Sequence, residues 1–239
     1  MLQKVINKFK LYNLSAKLSQ ISRKVQQNHW TYLSCEKIIN LEECLEDLKK
    51  NSVSGIFLEA GIALGGSAII IASMMPENAN FRGYDVFKMI PPPSDEDDQK
   101  SKARYEIIKK GESKGIGGKD IYYGYIDNLY EQVVKNFESL ALRVDGKKIS
   151  LHKGLFENTM YFTSTDSIAF AHIDCDWYEP VRLCLERIYP LLSIQGYLVL
   201  DDYYDYGGCQ KAVDEFLKNH SDIVIVKSDS NLVLQRISA

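Results

Sequence analysis

The sequence predicts an α/β fold whose core is an open, mostly parallel sheet of seven strands. Short apolar runs alternate with amphipathic stretches from residue 55 onward, which is the pattern of strands and helices in turn. Two of these runs, 168–173 and 197–200, are almost wholly apolar, as expected for strands buried on both faces of a parallel sheet. The last two apolar runs of the chain, 223–226 and 232–237, are joined by a short turn and predict a C-terminal antiparallel hairpin.

The first 50 residues are predicted to form a helical extension before the main domain. Residues 1–25 contain six basic and no acidic side chains, and their apolar residues recur at helical spacing. A basic amphipathic helix can lie on a membrane surface. Packing on the domain or on a second subunit is the commoner arrangement, and we expect it here. Residues 36–50 predict a second helix with one apolar face.

The main domain is assigned to residues 51–239, where strands and helices are expected to alternate. The predicted strands are 56–58, 81–84, 149–152, 168–173, 197–200, 223–226 and 232–237, and the predicted helices are 66–75, 128–142, 156–162, 178–192 and 208–219. A polar insertion, 88–118, is too long for an ordinary connection and is expected to be either a lid over a site or a surface loop. An antiparallel hairpin at the end of a parallel sheet is typical of the Rossmann-like, class I methyltransferase fold.

Composition limits the partners that the sequence suggests. The net charge of −3 argues against nucleic acid, because phosphate binding requires a basic surface. The five cysteines show no CxxC pair and no zinc-ligand spacing, which suggests reduced thiols. No run approaches the roughly 20 apolar residues that span a bilayer, and the N-terminus lacks the apolar core of a signal peptide. We therefore expect a cytoplasmic protein with no stable membrane association.

An acidic pair follows each of the two most apolar strands. Asp174 and Asp176 follow the first, and Asp201 and Asp202 follow the second. A right-handed crossover places these strands side by side or nearly so, and their carboxyl ends then bring the carboxylates together. Unpaired carboxylates repel one another, and Mg²⁺ is a hard ion that prefers oxygen ligands. The sequence therefore predicts a Mg²⁺ site formed by Asp174, Asp201 and Asp202, with Asp176 free to act as a general base.

A metal and a base together are suited to activating a hydroxyl group. Two neighbouring hydroxyls could chelate the ion, so a vicinal diol is the natural acceptor. Other roles stay open: Asp176 could cap the helix that begins near Tyr178, and the pair at 201–202 could be a helix cap and a surface acid. His172 is expected to be a buried histidine that supports its neighbours. Tyr203, Tyr204 and Tyr206 could pack against a sugar or simply on the domain.

The loop after the first strand, 59–67, brings glycines to the start of a helix, where a ligand can approach the backbone closely. Ala63 occupies the place of the second glycine of the dinucleotide pattern G-x-G-x-x-G. Glu59 would repel a pyrophosphate but attract an amino group or a sulfonium, and Asp85 could bind ribose hydroxyls. A tight turn without a ligand is the alternative. The predicted ligand is S-adenosylmethionine, with a site formed by Glu59, Gly61, Gly65, Gly66, Ser67 and Asp85.

Several short motifs are spread over the chain from about Thr31 to Phe216. They are FLEAG at 57–61, GGS at 65–67, YDVF at 84–87, KGLFENT at 153–159, IDCDWYE at 173–179, YPLLS at 189–193, GYLVLDDY at 196–203 and GCQKAVDEF at 208–216. In combination they resemble the macrocin and mycinamicin sugar O-methyltransferases, which use S-adenosylmethionine and Mg²⁺. The sequence departs from the family pattern at Ala60, Ile62, Gln210 and the three prolines 91–93.

This resemblance implies roles for particular residues. It implies the same three metal ligands, Asp176 as the base, Gly154 and Phe156 near the adenine, and Asp174 beside the cofactor. It also implies a homodimer or a higher homo-oligomer.

The predicted function is Mg²⁺-dependent methyl transfer from S-adenosylmethionine to a hydroxyl of a small-molecule acceptor, a sugar in a glycoside or glycosylated natural product. A catechol-like diol would use the same metal chemistry. An NAD-type oxidoreductase is disfavoured by the incomplete glycine pattern. A non-catalytic oligomerising module is disfavoured by the complete set of acids.

Overall fold

The computed structural model describes residues 13–238. The strands are β1 (Ile56–Ala60), β2 (Phe81–Asp85), β3 (Ile149–Lys153), β4 (Ile168–Ile173), β5 (Leu192–Leu200), β6 (Ile223–Ser228) and β7 (Leu232–Arg236). The helices are α1 (Gln20–Gln27), α2 (Cys35–Lys50), α3 (Gly66–Met74), α4 (Gln99–Lys109), α5 (Leu129–Ser139), α6 (Phe156–Thr159), α7 (Tyr178–Ile188) and α8 (Gly207–Lys218). Short 3₁₀ turns occupy Ile116–Gly118, Tyr123–Tyr125 and Tyr189–Leu191.

The seven strands form one sheet in the order β3-β2-β1-β4-β5-β7-β6. The first five strands in this order are parallel, and β7 runs antiparallel to both of its neighbours. The predicted mostly parallel sheet with a C-terminal antiparallel hairpin is therefore confirmed. Strands β4 and β5 are direct neighbours, with Ile173 beside Leu200, so their carboxyl ends lie side by side. The strand order reverses between β1 and β4, which is where open α/β sheets bind ligands.

Helices cover both faces of the sheet. Helices α1, α2, α3 and α5 pack on one face around buried side chains such as Ile38 and Ile70, and α7 and α8 pack on the other around Val181 and Val213. Each fully buried aliphatic side chain contributes about 1.5–3 kcal/mol, so both layers hold the strand ends firmly in place. No helix in the described part of the chain is both long and apolar enough to cross a membrane.

The N-terminal segment contacts the glycine loop directly. The amide of Gly66 donates to the carbonyl oxygen of Trp30 at 2.9 Å, and a Cβ at Gly66 would lie 2.5 Å from that oxygen. This close approach requires glycine. Residues 1–12 of the expected basic helix lie outside the described residues. In the described part of this segment, Leu14, Leu18 and Val25 pack on the domain.

The insertion 88–118 contains a helix, α4, that the sequence analysis did not predict. Only Ser101 and Ile108 of α4 are buried, so its sequence shows almost no apolar periodicity. Asp98 caps it by accepting a hydrogen bond from the amide of Ser101 at 2.7 Å. Asp97 is buried and accepts a hydrogen bond from the amide of Tyr178 at 2.8 Å, which fastens the insertion to the start of α7. The predicted helix 178–192 ends earlier, at Ile188, and β5 begins at Leu192.

Candidate active site

The carboxyl ends of the parallel strands form the floor of two connected cavities. One has a volume of about 290 Å³ and is called here the acidic cavity, because its walls include Asp174, Asp176, Asp201, Asp202 and Asp205. The other has a volume of about 170 Å³ and is called the apolar cavity; its walls include Val86, Ile90, Leu155, Phe156 and Pro180. The two cavities share wall residues at the point where the strand order reverses, among them Gly61, Asp85, Asp174 and Asp176.

The three predicted metal ligands lie together. Asp174, Asp201 and Asp202 each offer a carboxylate oxygen, and these oxygens lie within 4.8 Å of one another. The Oδ1 atom of Asp201 is buried and has no hydrogen-bond partner. Burial together with the neighbouring carboxylates raises the pKa of Asp174 and the pKa of Asp202 well above the usual value. Three hard oxygen ligands and one buried, unpartnered oxygen fit a divalent cation such as Mg²⁺.

Asp176 lies at the entrance to the same cluster. Its backbone has a φ of 60°, a left-handed conformation that costs a non-glycine residue about 1–2 kcal/mol. The amide of Asp176 donates to Oδ2 of Asp202 at 2.9 Å, which stabilises this turn. Burial and the charge of Asp201 raise the pKa of Asp176 to about 7. A carboxylate with this pKa beside both cavities has the properties of a general base.

Asp176 does not cap α7, which was the alternative role considered from the sequence. The N-cap residue of α7 is Trp177, and its side chain forms no capping hydrogen bond. The amide of Tyr178 is bonded instead to Asp97 of the insertion. Asp201 and Asp202 do not cap a helix either, since both are buried and α8 begins only after Tyr206.

Lys37 is a site residue that the sequence analysis missed. Its Nζ lies 2.8 Å from Oδ2 of Asp201 and 3.0 Å from Oδ2 of Asp205. Burial alone lowers the pKa of Lys37, but attraction to these two carboxylates outweighs it and raises the pKa above its usual value. The ammonium group in turn helps to hold the pKa of Asp201 low despite burial. Nothing in the pattern of α2 distinguishes Lys37 from its other lysines, so no sequence signal identifies it.

A buried histidine links the glycine loop to the carboxylate cluster. Nδ1 of His172 lies 2.6 Å from Oε1 of Glu59, and both side chains are fully buried. Nε2 of His172 lies 3.7 Å from Oδ1 of Asp201, which is an ion-pair contact and too long for a hydrogen bond. Burial lowers the pKa of His172, but Asp201 and Glu59 outweigh it and raise the pKa to about 10. The imidazolium therefore supports both acids, as expected of a residue behind a metal site.

The predicted cofactor residues divide into two groups. Gly61, Asp85 and Asp174 line both cavities, and Phe156 lines the apolar cavity. The remaining residues do not line either cavity in the described structure: Glu59, Gly65, Gly66, Ser67 and Gly154. Gly61 has a φ of 91°, and a Cβ there would lie 1.7 Å from the carbonyl oxygen of Asp174, so only glycine lets β1 and β4 meet at this point.

Asp85 holds the shape of the glycine loop. Its Oδ2 accepts hydrogen bonds from the amides of Ile62 and Ala63 at 2.7 and 3.0 Å, and its Oδ1 accepts one from the amide of Phe87 at 2.6 Å. Burial raises the pKa of Asp85 in spite of these three donors. Each carboxylate oxygen has two acceptor positions, so a ribose hydroxyl can still donate to Asp85.

The insertion covers the acidic cavity. Ile90, Lys100, Arg104 and Ile108 line it from the insertion, and Nε1 of Trp177 donates to the carbonyl oxygen of Pro91 at 3.0 Å. These parts of 88–118 therefore lie over the acidic cavity, and a role as a lid stays a prediction.

The three tyrosines that follow Asp202 have different surroundings. Tyr206 lines the acidic cavity. Tyr203 donates to Asp214 at 2.8 Å on the domain, and Tyr204 is exposed. Of these three tyrosines, only Tyr206 therefore lies in the wall of either cavity.

The fold and the position of the site define the class of the protein. A seven-stranded sheet of this order with its cavities at the carboxyl ends of β1, β2, β4 and β5 is the class I methyltransferase fold. The solved structure of the O-methyltransferase NovP superposes with a TM-score of 0.71 and 23% sequence identity, covering 87% of this chain and 83% of that chain.

The sequence comparisons identify the family. The chain belongs to the macrocin O-methyltransferase family, whose model matches residues 10–230. Mycinamicin III 3''-O-methyltransferase from Micromonospora griseorubida is 27% identical over 221 residues, which is 87% of this chain and 79% of that protein. Demethyldecarbamoylnovobiocin O-methyltransferase from Streptomyces niveus is 26% identical over 193 residues, or 79% of this chain and 68% of that protein.

A third relative comes from Streptomyces olivaceus and is 26% identical over 190 residues, covering 78% of this chain and 67% of that protein. It is 8-demethyl-8-(2,3-dimethoxy-alpha-L-rhamnosyl)-tetracenomycin-C 4'-O-methyltransferase. The resemblance found from the motifs is thus confirmed, and the protein is an S-adenosylmethionine-dependent O-methyltransferase rather than an NAD-type oxidoreductase.

Proposed function

We propose that the protein transfers a methyl group from S-adenosylmethionine to a hydroxyl of a sugar in a glycoside or glycosylated natural product, with Mg²⁺ held by Asp174, Asp201 and Asp202. The observation that carries this proposal is the meeting of three carboxylates in the acidic cavity, with Asp174 also lining the apolar cavity and Oδ1 of Asp201 buried and unpartnered. The name of the Streptomyces olivaceus relative specifies a rhamnosyl group in its substrate, which supports a sugar as the acceptor.

The apolar cavity suits the cofactor. Val86, Leu155 and Phe156 provide a slot for a flat adenine ring. Asp85, which lies between this slot and the acidic cavity, is positioned for the ribose hydroxyls. Gly61 exposes its backbone at the junction, where the methionine part of the cofactor and its sulfonium would lie beside Asp174. The carboxylates at the junction favour a positively charged sulfonium and disfavour a dinucleotide.

The acidic cavity suits the acceptor. Asp174, Asp201 and Asp202 would hold the ion, and its contribution would be Lewis-acid stabilisation of negative charge on the acceptor oxygen. The carboxylate of Asp176 takes the hydroxyl proton. The oxygen then forms its bond to the methyl carbon as the carbon–sulfur bond of the sulfonium breaks, which leaves S-adenosylhomocysteine. Because a carboxylate of ordinary pKa is a weak base, the raised pKa of Asp176 favours this proton transfer.

The test is a methyl-transfer assay with purified protein that has been stripped of metal. Glycosides with vicinal diols and simple catechols are offered with S-adenosylmethionine, with and without added Mg²⁺, and products are measured by mass spectrometry. We expect methylated glycoside only with Mg²⁺, and a loss of at least about 100-fold in Asp201→Asn. The control Asp127→Asn removes an exposed acid away from both cavities and should retain activity.

Two results would contradict parts of this proposal. Full activity of Asp201→Asn without Mg²⁺ would remove the metal from the mechanism. Methylation of catechols but not of glycosides would assign the protein to the alternative acceptor class.

A further inference from the structure

A third cavity opens where the N-terminal segment meets the insertion. It has a volume of about 520 Å³ and is called here the outer cavity; Gln26, Thr31, Lys114 and Ile116 lie in its wall. Tyr32, Leu33 and Arg104 line both the outer cavity and the acidic cavity. The two spaces therefore adjoin at these three side chains, and a molecule longer than one sugar can occupy both.

The two cavities differ sharply in charge. Six aspartates outnumber three cations (Lys37, Lys100 and Arg104) in the wall of the acidic cavity, whereas the outer cavity has Arg104 and Lys114 in its wall and no carboxylate among the described residues. Asp120 lies close by, but it is exposed and already bonded to Nδ1 of His29 at 2.8 Å. A ligand that extends from one cavity into the other thus meets opposite charges at its two ends.

No carboxylate lies within ion-pair distance of the Arg104 guanidinium in the described structure, although its charge attracts the carboxylate of Asp176 across the acidic cavity. Arg82, Arg182 and Arg236 each pair with a carboxylate, but Arg104 forms no such pair and its guanidinium instead lies over the ring of Tyr122, 5.6 Å from the centroid. The side chain is half-buried between the two cavities. A half-buried guanidinium with free donors at a cavity junction is suited to a planar or tetrahedral anion, which it can bind through two hydrogen bonds.

We propose that the acceptor is a two-part molecule whose sugar occupies the acidic cavity and whose attached group carries a carboxylate or a phosphate, bound by Arg104 and Lys114 in the outer cavity. This inference rests on the proposed function, because it assigns the sugar to the carboxylate cluster. It specifies in addition that the acceptor is an anion and that α4 recognises it.

Binding measurements on the full chain loaded with S-adenosylhomocysteine test this inference. The probes are three rhamnosides titrated by calorimetry: neutral 4-nitrophenyl rhamnoside, 4-carboxyphenyl rhamnoside of similar size, and rhamnose 1-phosphate. We expect one of the two anionic probes to bind about tenfold tighter than the neutral probe or better. The anionic probe that binds more tightly indicates whether the attached group of the acceptor is a carboxylate or a phosphate.

Variants then assign the effect to the guanidinium. Arg104→Gln should remove most of the anionic preference and leave the part due to Lys114, while its affinity for the neutral probe and for S-adenosylhomocysteine stays within about twofold. Arg104→Lys keeps the charge and should retain part of the preference. The matched control Lys110→Gln removes a positive charge from the exposed end of α4, outside all three cavities, and should bind every probe as the wild type does.

Several results would overturn the inference. They are anionic probes that bind no tighter than the neutral probe, an anionic preference that is undiminished in Arg104→Gln, and a loss of S-adenosylhomocysteine affinity in that variant. The last result would assign the guanidinium to the carboxylate of the cofactor. Failure of the wild-type chain to bind S-adenosylhomocysteine would overturn the proposed function and this inference with it, whereas cofactor binding without an anionic preference would overturn the inference alone.

Discussion

Nζ of Lys37 lies 2.8 Å from Oδ2 of Asp201, so a side chain of helix α2 belongs to the carboxylate cluster at the end of β5. The same ammonium group donates to the carbonyl oxygen of Asp201 at 3.0 Å, which fixes the residue by its backbone as well. One oxygen of Asp201 is thereby occupied and the other, Oδ1, is left without a hydrogen-bond partner. The ion pair orients a predicted metal ligand and at the same time places a positive charge near the predicted metal site.

Replacing Lys37 by methionine should separate these two effects. Metal-free Lys37→Met should lose about 3 kcal/mol of unfolding free energy, because it leaves a buried carboxylate without its partner. The same variant should bind Mn²⁺ about tenfold tighter, since no ammonium group then repels the ion. Thermal unfolding and Mn²⁺ titration by electron paramagnetic resonance measure the two quantities. Lys50→Met, an exposed position of the same helix, serves as the control; unchanged metal affinity in Lys37→Met would contradict this account.

The pH dependence of the reaction should report on Asp176. A general base must be deprotonated, so kcat/KM should fall about tenfold per pH unit below the pKa of this carboxyl. Burial and Asp201 raise that pKa to about 7, and a bound divalent cation would lower it, so the acid limb should lie at or below neutral pH. Asp176→Asn should lower kcat by roughly 10²–10⁴-fold without changing the affinity for S-adenosylhomocysteine. An acid limb that is unaltered in Asp176→Asn would assign the base to another group.

The stability of the metal-free protein should fall as the pH rises. The folded-state pKa values of Asp174, Asp176 and Asp202 are raised above the unfolded value of about 3.9. Their contribution to stability is therefore fully present below about pH 4 and is lost as the pH rises through the folded-state values. Between pH 5.5 and 8 we expect the Tm to decrease by roughly 5 °C.

Added Mg²⁺ should reverse this loss at pH 8 and have less effect at pH 5.5, where protons compete for the same carboxylates. Differential scanning calorimetry at both pH values, with and without Mg²⁺, measures the effect. His172 adds to the trend above about pH 6.5, because its folded-state pKa is raised to about 10 and the unfolded histidine loses its proton first. A Tm that is independent of both pH and Mg²⁺ would show that these carboxylates do not repel one another.

The hydrogen bond between Asp97 and the amide of Tyr178 should hold the insertion 88–118 in place over the acidic cavity. Asp97→Ala removes the acceptor of the Tyr178 amide and of the Ser94 amide, each at 2.8 Å. Losing these buried bonds should cost about 1–3 kcal/mol and expose the backbone of 88–118 to exchange. Hydrogen exchange followed by mass spectrometry measures this directly, with a raised acceptor KM as the functional consequence. The exposed neighbour Asp95→Ala is the control, and equal exchange in both variants would contradict the anchoring role.

The strands and the carboxylate cluster were predictable because their signals are local. A run such as 197–200 can be buried on both faces only as a central strand, and parallel strands necessarily deliver the residues that follow them to one edge. That reasoning predicted the clustering of Asp174, Asp201 and Asp202 without any knowledge of contacts.

The rest of the site depends on packing between distant segments. Helix α4 buries little apolar surface, so its sequence has no clear periodicity, and Lys37 reaches Asp201 across 164 residues. Glu59 was predicted to bind the cofactor, and the structure places its carboxylate behind the loop against His172. The strand is buried on every side, so the sequence does not reveal the direction of that side chain. Its part in cofactor binding stays a prediction.

The cover of the acidic cavity has a consequence for how such enzymes diverge. Tyr32, Arg104 and Tyr122 belong to the N-terminal segment and to the long connection between β2 and α5, and none of them lies on a strand. The strand ends that carry the aspartates are fixed by the buried sheet. We expect that exchanging only the wall residues of these two segments between homologues changes the acceptor preference and leaves the aspartates in place.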